Sequence, residues 1–117
     1  MATNNILKEL DLVLQERKTA PPDTSYVATL YAKGLSKILE KVGEEATEVI
    51  IAAKDLESSN PDDQSAREEE LVKEVADLWF HTLVGLNHLN LSSDDVLAEL
   101  GKRFGIGGLE EKASRNS

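Results

Sequence analysis

The sequence contains no cysteine, which excludes disulfides, thiolate zinc sites, iron–sulfur clusters and cysteine nucleophiles. Aromatic residues make up only 4% of the chain. The apolar supply is mainly Leu, Val, Ile and Ala, a mixture that packs helices and gives no hint of a sandwich or barrel. All three prolines fall in two short polar stretches, 18–23 and 59–65, which read as loops. No apolar run reaches the ~18 residues that a membrane span needs. The N-terminus, MATNNILKELDLVLQERK, lacks the plan of a signal peptide, so the chain reads as cytoplasmic. Basic residues are also scarce, 13 against 22 acidic ones, for a net charge of −9. A protein that neutralises nucleic-acid phosphates shows the opposite balance, and anionic membrane surfaces are disfavoured in the same way. What remains is a soluble protein, or one that concentrates carboxylates around a hard cation.

With 117 residues, 40% of them apolar, the chain suits one domain spanning 1–117. Helical periodicity runs through nearly all of it. A first helix is predicted from about Asn5 to Arg17, capped by Thr3 or Asn4, with the stripe Ile6, Leu7, Leu10, Val13 and Leu14. A short helix follows Ser25 and stops at Gly34. Ser36 is placed to cap a long third helix reaching about Leu56, with the stripe Ile38, Val42, Ala46, Val49, Ile50 and Ala53. A fourth spans about Ala66 to Leu89, and a fifth starts at Ser92, where Ser92 and Asp95 form a capping-box-like pair. The predicted class is therefore an all-α bundle of about five helices. From Leu78 to Leu86 the fourth helix is apolar nearly all round, so it needs cover on every side. A two-fold homodimer would supply that cover for Trp79, Phe80 and Val84; a central position in a monomer is the alternative.

The third helix carries Glu44, Glu45 and Glu48, and the fourth carries Glu74 and Asp77. Glu45 with Glu48, and Glu74 with Asp77, are i, i+3 pairs, each projecting from one side of its helix. Two such helices side by side can aim four or five carboxylates at one point, which is costly unless a cation sits among them. Oxygen donors of this kind suit Mg2+ or Mn2+, not zinc. The same spacing is also that of an ordinary solvated helix face. Glu68, Glu69 and Glu70 read in that plain way, as charges complementing a helix N-terminus.

The segments GLSKILEKVGEEATEVIIAAKD and LVKEVADLWFH, with the tail RFGIGGLEEKASR, resemble the phosphoribosyl-ATP pyrophosphatase family of histidine biosynthesis. That family belongs to the all-α, MazG-type nucleotide pyrophosphohydrolases, whose signature E-x-x-E…E-x-x-D stands here as Glu45-x-x-Glu48 and Glu74-x-x-Asp77. The resemblance covers roughly Ser25 to Arg115. It implies Mg2+-dependent hydrolysis of 1-(5-phosphoribosyl)-ATP between its α- and β-phosphates, with Glu45, Glu48, Glu74 and Asp77 as metal ligands. Glu44 is then a further ligand or the group that activates water. A MazG-type enzyme acting on other nucleoside triphosphates, or a non-enzymatic helical dimer, are the competing readings.

An anionic substrate needs cationic partners. Lys33, Lys37 and Lys41 precede the acidic cluster and can meet phosphates, although Lys41 can equally pair with Glu45 one turn on. Arg103, Lys112 and Arg115 flank Gly105, Gly107 and Gly108 in a basic tail, from about residue 104, that can fold over an anionic ligand or stay mobile. His81, one turn after Asp77, is either a support for a ligand carboxylate or a satisfied core histidine.

Overall fold

The computed structural model describes residues 5–106. It contains five α-helices, α1 (Ile6–Arg17), α2 (Tyr26–Lys33), α3 (Leu35–Glu57), α4 (Gln64–His88) and α5 (Ser93–Phe104), with one 3-10 turn at Pro22–Thr24. No strand occurs among the described residues, in line with the predicted all-α class.

Local chemistry sets most of the boundaries. Ser25 is extended, and its Oγ accepts the Ala28 N–H at 3.0 Å to start α2. Gly34 has φ +97°, a conformation that side chains resist. Its N–H closes α2 on the Leu30 carbonyl at 3.0 Å, and its own carbonyl accepts from Ile38 at 3.2 Å to open α3. The chain therefore turns at Gly34, and Ser36, predicted as the cap of α3, falls inside its first turn. Thr3 and Asn4 lie outside the described residues, and Asn5 occupies the α1 N-cap without a side-chain hydrogen bond. At the end of α4, Asn90 adopts φ 67°. Leu91 N–H then reaches Leu86 O at 2.8 Å and Asn90 N–H reaches Asn87 O at 3.0 Å, satisfying the orphan carbonyls in a Schellman arrangement. Ser92 donates its N–H to Asp95 Oδ2 at 2.9 Å, the predicted capping box of α5.

The hairpin of α3 and α4 is the backbone of the fold. Ile38 meets Gly85, Glu45 approaches Glu74 and Asp77, and Asp55 pairs with Arg67. Positions rise on one helix as they fall on the other, so the two run antiparallel in a continuous register. A Cβ built on Gly85 would lie 3.5 Å from Ile38 Cγ2; the glycine therefore marks a close helix approach. Gly43 meets nothing within 4 Å, so it serves no such approach among the described residues.

Leu14 from α1, Val27 and Leu30 from α2, Ile38 from α3, and Leu83 and Val84 from α4 form the core. Val84 is fully buried by the chain itself, which corrects the expectation that it waits for a partner. Phe80 is half-buried, with its ring 6.3 Å from that of Tyr26. Of the three residues predicted to need outside cover, only Trp79 stays largely exposed, at 59%.

A buried polar knot ties α1 to the α4–α5 junction. The Asp11 carboxylate accepts from Ser93 N–H at 3.1 Å, from the Ser93 hydroxyl, and from Asn87 Nδ2 at 3.0 Å. Gln15 donates to Asn87 Oδ1 at 2.7 Å, and Lys18 Nζ donates to Asn87 O and Asn90 Oδ1. Asp11, Asn87 and Ser93 are all buried, so losing the carboxylate strands donors away from water. Each stranded donor costs about 1–3 kcal/mol. Asp11→Ala is expected to lose about 3 kcal/mol in urea unfolding; a loss below about 1 kcal/mol would contradict this role.

Candidate metal centre

The α3–α4 seam sets the site. On α3, residues Ile38, Val42, Glu45, Val49 and Ala52 recur at steps of four and three, and all are buried or half-buried. On α4, the same holds for Leu71, Glu74, Leu78, His81 and Gly85. Glu45 and Glu74 thus occupy positions that packing would normally give to apolar side chains. The Glu45 side chain is only 13% exposed. Asp77, one turn after Glu74 and on the rim, is exposed.

Glu45, Glu74 and Asp77 each present a carboxylate oxygen within 4.8 Å of the other two. Such oxygens repel one another unless a proton or a cation intervenes. Glu74 shows the strain: its carboxyl is pushed up to about 7 from the ordinary 4.5. The hydrogen bond it shares with Glu70 contributes most, then partial burial, then the charges of Glu70, Glu48 and Glu45. An all-carboxylate donor set fits a hard cation such as Mg2+ and offers nothing a soft metal would prefer.

The remaining predicted acids take other positions. Glu48 is exposed and lies beside Glu74, in the wall of a cleft between the helices. Glu44 is exposed and accepts from Lys41 Nζ at 3.2 Å. Glu70, read from the sequence as part of a plain charge run, joins the cluster through Glu74. Its i, i+4 spacing to Glu74 was the available signal.

His81 is buried, but among the described residues it hydrogen-bonds no carboxylate. Its Nδ1 lies 2.8 Å from the Asp77 main-chain carbonyl, and Nε2 lies 2.8 Å from the Tyr26 hydroxyl. A carbonyl only accepts, so Nδ1 carries the proton and the Tyr26 hydroxyl donates to Nε2. The imidazole thus pins α2 to the turn of α4 that presents Asp77.

A family profile described as Phosphoribosyl-ATP pyrophosphohydrolase matches residues 7–104. The chain belongs to this family. It is 59% identical over 114 residues to a protein of Hydrogenovibrio crunogenus named phosphoribosyl-ATP pyrophosphatase, covering 97% of this chain and 96% of the relative. A protein of the same name from Methylococcus capsulatus is 55% identical over 111 residues, with 95% and 96% covered. The resemblance drawn from the KVGEEA and E-x-x-E…E-x-x-D segments is therefore that of a true family member.

The basic residues divide. Lys41 Nζ pairs with Glu44 and stands 4.0 Å from Glu45. Its ammonium is held charged above the usual lysine range, chiefly by the Glu44 hydrogen bond, with Tyr26 and Glu45 adding. Lys37 pairs with Glu40 at 3.2 Å, and Lys33 is exposed at the end of α2. Arg103 lies on α5, paired with Glu99 at 2.9 Å; α5 packs on α1. Lys112 and Arg115 lie outside the described residues.

A raised Glu74 makes the metal-free protein pH-sensitive. The folded state holds this proton up to about pH 7, whereas the unfolded chain releases it near 4.5. Its stabilising contribution is thus complete below pH 4.5 and is lost as pH rises through 7. The thermal midpoint without metal is expected to fall across that window, and Glu74→Gln to flatten the fall. Added Mg2+ is expected to stabilise more at pH 8 than at pH 5. Equal Mg2+ effects at both values, or a slope unchanged in Glu74→Gln, would contradict the assignment.

Proposed function

We propose that the chain is a Mg2+-dependent phosphoribosyl-ATP pyrophosphatase, a single-domain cytoplasmic enzyme of an early step in histidine biosynthesis. The observation that carries this reading is the convergence of Glu45, Glu74 and Asp77 oxygens within 4.8 Å, in a chain of this family. Glu45, Glu74 and Asp77 would hold the ion, with Glu48 completing the set from the adjacent wall. Bound there, Mg2+ supplies charge neutralisation at phosphate oxygens and Lewis acidity towards water; Mn2+ can do the same.

The protein's own groups do the rest. Water attacks the α-phosphorus, the α–β anhydride bond breaks, and pyrophosphate leaves with the bonding electrons. Glu44 lies next to the triad residue Glu45, and its exposed carboxylate can take the proton from the attacking water. Lys41, drawn towards Glu44 and Glu45, would meet substrate oxygens as charge shifts onto the leaving group. Lys37, one turn before Lys41 on α3, and Lys33, at the end of α2, are further cations that substrate phosphates could meet. Arg103, Lys112 and Arg115 are the remaining candidates for substrate contact.

Turnover of phosphoribosyl-ATP, set against a panel of ordinary nucleoside triphosphates, tests the substrate. The former is expected to be strongly preferred, and turnover restricted to the latter would sink the reading. Asp77→Ala or Glu48→Ala is expected to abolish turnover while leaving the helical spectrum intact, because removing one carboxylate relieves repulsion. Near-parental rates in both would move the chemistry elsewhere.

A homodimer completes the proposal. An apolar groove of about 400 Å3 runs between α4 and α5, lined by Leu78, Trp79 and Leu83 and by Val96, Leu97 and Leu100. Trp79 and the three α5 residues are substantially exposed, and a second copy would bury them. The particle is expected to have twice the 12.8 kDa chain mass, and Leu97→Asp to halve it without loss of helix. A parent that is monomeric at micromolar concentration would contradict the dimer.

A further inference from the structure

A cleft of about 540 Å3 lies between α3 and α4, within the range of small-molecule sites. Glu48, Glu70 and Glu74 line it at the middle of the hairpin, beside the metal centre; Asp55, Asp63 and Arg67 line it near the α3–α4 loop. From Glu48 to Asp55 is seven positions, about 10 Å along the helix axis. Ile51 and small alanine side chains form its apolar lining. Arg67 is the one basic side chain among the described residues of the wall. Its Nη1 stands 3.7 Å from Asp55 Oδ2, with both side chains about half exposed, 48% and 50%. At that length the two form a loose ion pair, not a hydrogen-bonded fork. The Arg67 main-chain N–H donates to Asp63 O at 3.0 Å, but among the described residues its guanidinium makes no hydrogen bond, and the loose Asp55 pair leaves planar donors for an anion.

We propose that this cleft receives the ribose 5-phosphate arm that the substrate carries on N1 of its purine. Arg67 binds the phosphate of that arm, and Asp55 and Asp63 accept hydrogen bonds from its ribose hydroxyls. The proposal rests on the substrate reading given above. The mixture of charges in the wall selects this occupant. A polyphosphate brings several charges and no donors to a wall of five carboxylates and one guanidinium, whereas a ribose phosphate brings hydroxyl donors for carboxylates and a single anionic group for Arg67. The placement also matches the substrate's two anionic ends. Lys37 and Lys41 precede the carboxylates on α3, and Arg67 lies beyond them on the other side of the metal centre. Ordinary triphosphates lack the N1 arm, so Arg67 becomes a residue that separates the substrate from them.

The test uses the full chain with saturating Mg2+ and the variants Arg67→Met and Arg67→Lys. Turnover of phosphoribosyl-ATP is measured together with calorimetric binding of phosphoribosyl-AMP, which keeps the arm, and of AMP, which lacks it. Arg67→Met is expected to raise KM and weaken phosphoribosyl-AMP about tenfold or more. It is expected to leave kcat and AMP affinity within about twofold. Arg67→Lys, which keeps the charge and loses the fork, is expected to fall between. Unchanged AMP affinity also reports that the variant is folded. An unchanged KM in Arg67→Met, or equal weakening of AMP and phosphoribosyl-AMP, would overturn the Arg67 site while the activity itself stands. Failure of the parent to turn over phosphoribosyl-ATP would instead remove the substrate reading, and the arm site with it.

Discussion

Electrostatic repulsion at the α3–α4 seam is the constraint around which this structure is organised. Two long antiparallel helices normally close such a seam with apolar side chains. Here Glu45 and Glu74 take seam positions, with Asp77 on the rim and Glu48 and Glu70 close by. Without a cation, the fold relieves the repulsion by keeping a proton on Glu74 and by drawing Lys41 towards Glu44 and Glu45. Both are partial remedies that a divalent ion would improve upon. Carboxylates held this close favour any divalent ion that relieves their repulsion.

The rest of the chain is built to tolerate that cost. The core of Leu14, Val27, Leu30, Ile38, Leu83 and Val84 lies at the end of the hairpin away from the α3–α4 loop. The Asp11–Asn87–Ser93 knot fastens α1 and α5 at that same end. Stability is therefore concentrated where α1 and α2 cover the hairpin, and the carboxylates sit in its less covered middle. The Tyr26–His81 pair marks the border: it belongs to the packed end, yet it touches the carbonyl of Asp77. The packed end and the carboxylate cluster thus lie at different levels of one pair of helices.

Much of this was legible in the sequence, because helical period and cap chemistry are local signals. The five helices, the Gly34 stop and the Ser92–Asp95 box follow from residues a few positions apart. The failures are those that depend on partners distant in sequence. Ser36 looked like a cap, but the positive φ at Gly34 starts α3 two residues earlier. Val84, on a helix apolar nearly all round, is expected to need a partner's cover, yet it lies in a core drawn from α1, α2, α3 and α4, which a single-helix reading cannot weigh. Glu70 was hidden in a run of three glutamates, and only the partnership with Glu74 distinguishes it from Glu68 and Glu69. Spacing alone left Glu45 and Glu74 between metal and solvent. The antiparallel register, with Asp55 against Arg67 and Ile38 against Gly85, is what brings Glu45 of α3 to Glu74 and Asp77 of α4.

We propose that Glu45, Glu74 and Asp77 form a cation site built by both helices of the hairpin. Crystals grown with Mn2+ and measured on either side of the manganese absorption edge test it most directly. One strong anomalous peak per chain is expected, about 2.0–2.3 Å from carboxylate oxygens of Glu45, Glu74 and Asp77. A peak ligated from one helix alone, a peak elsewhere on the acidic surface, or no peak at saturating Mn2+ would contradict it.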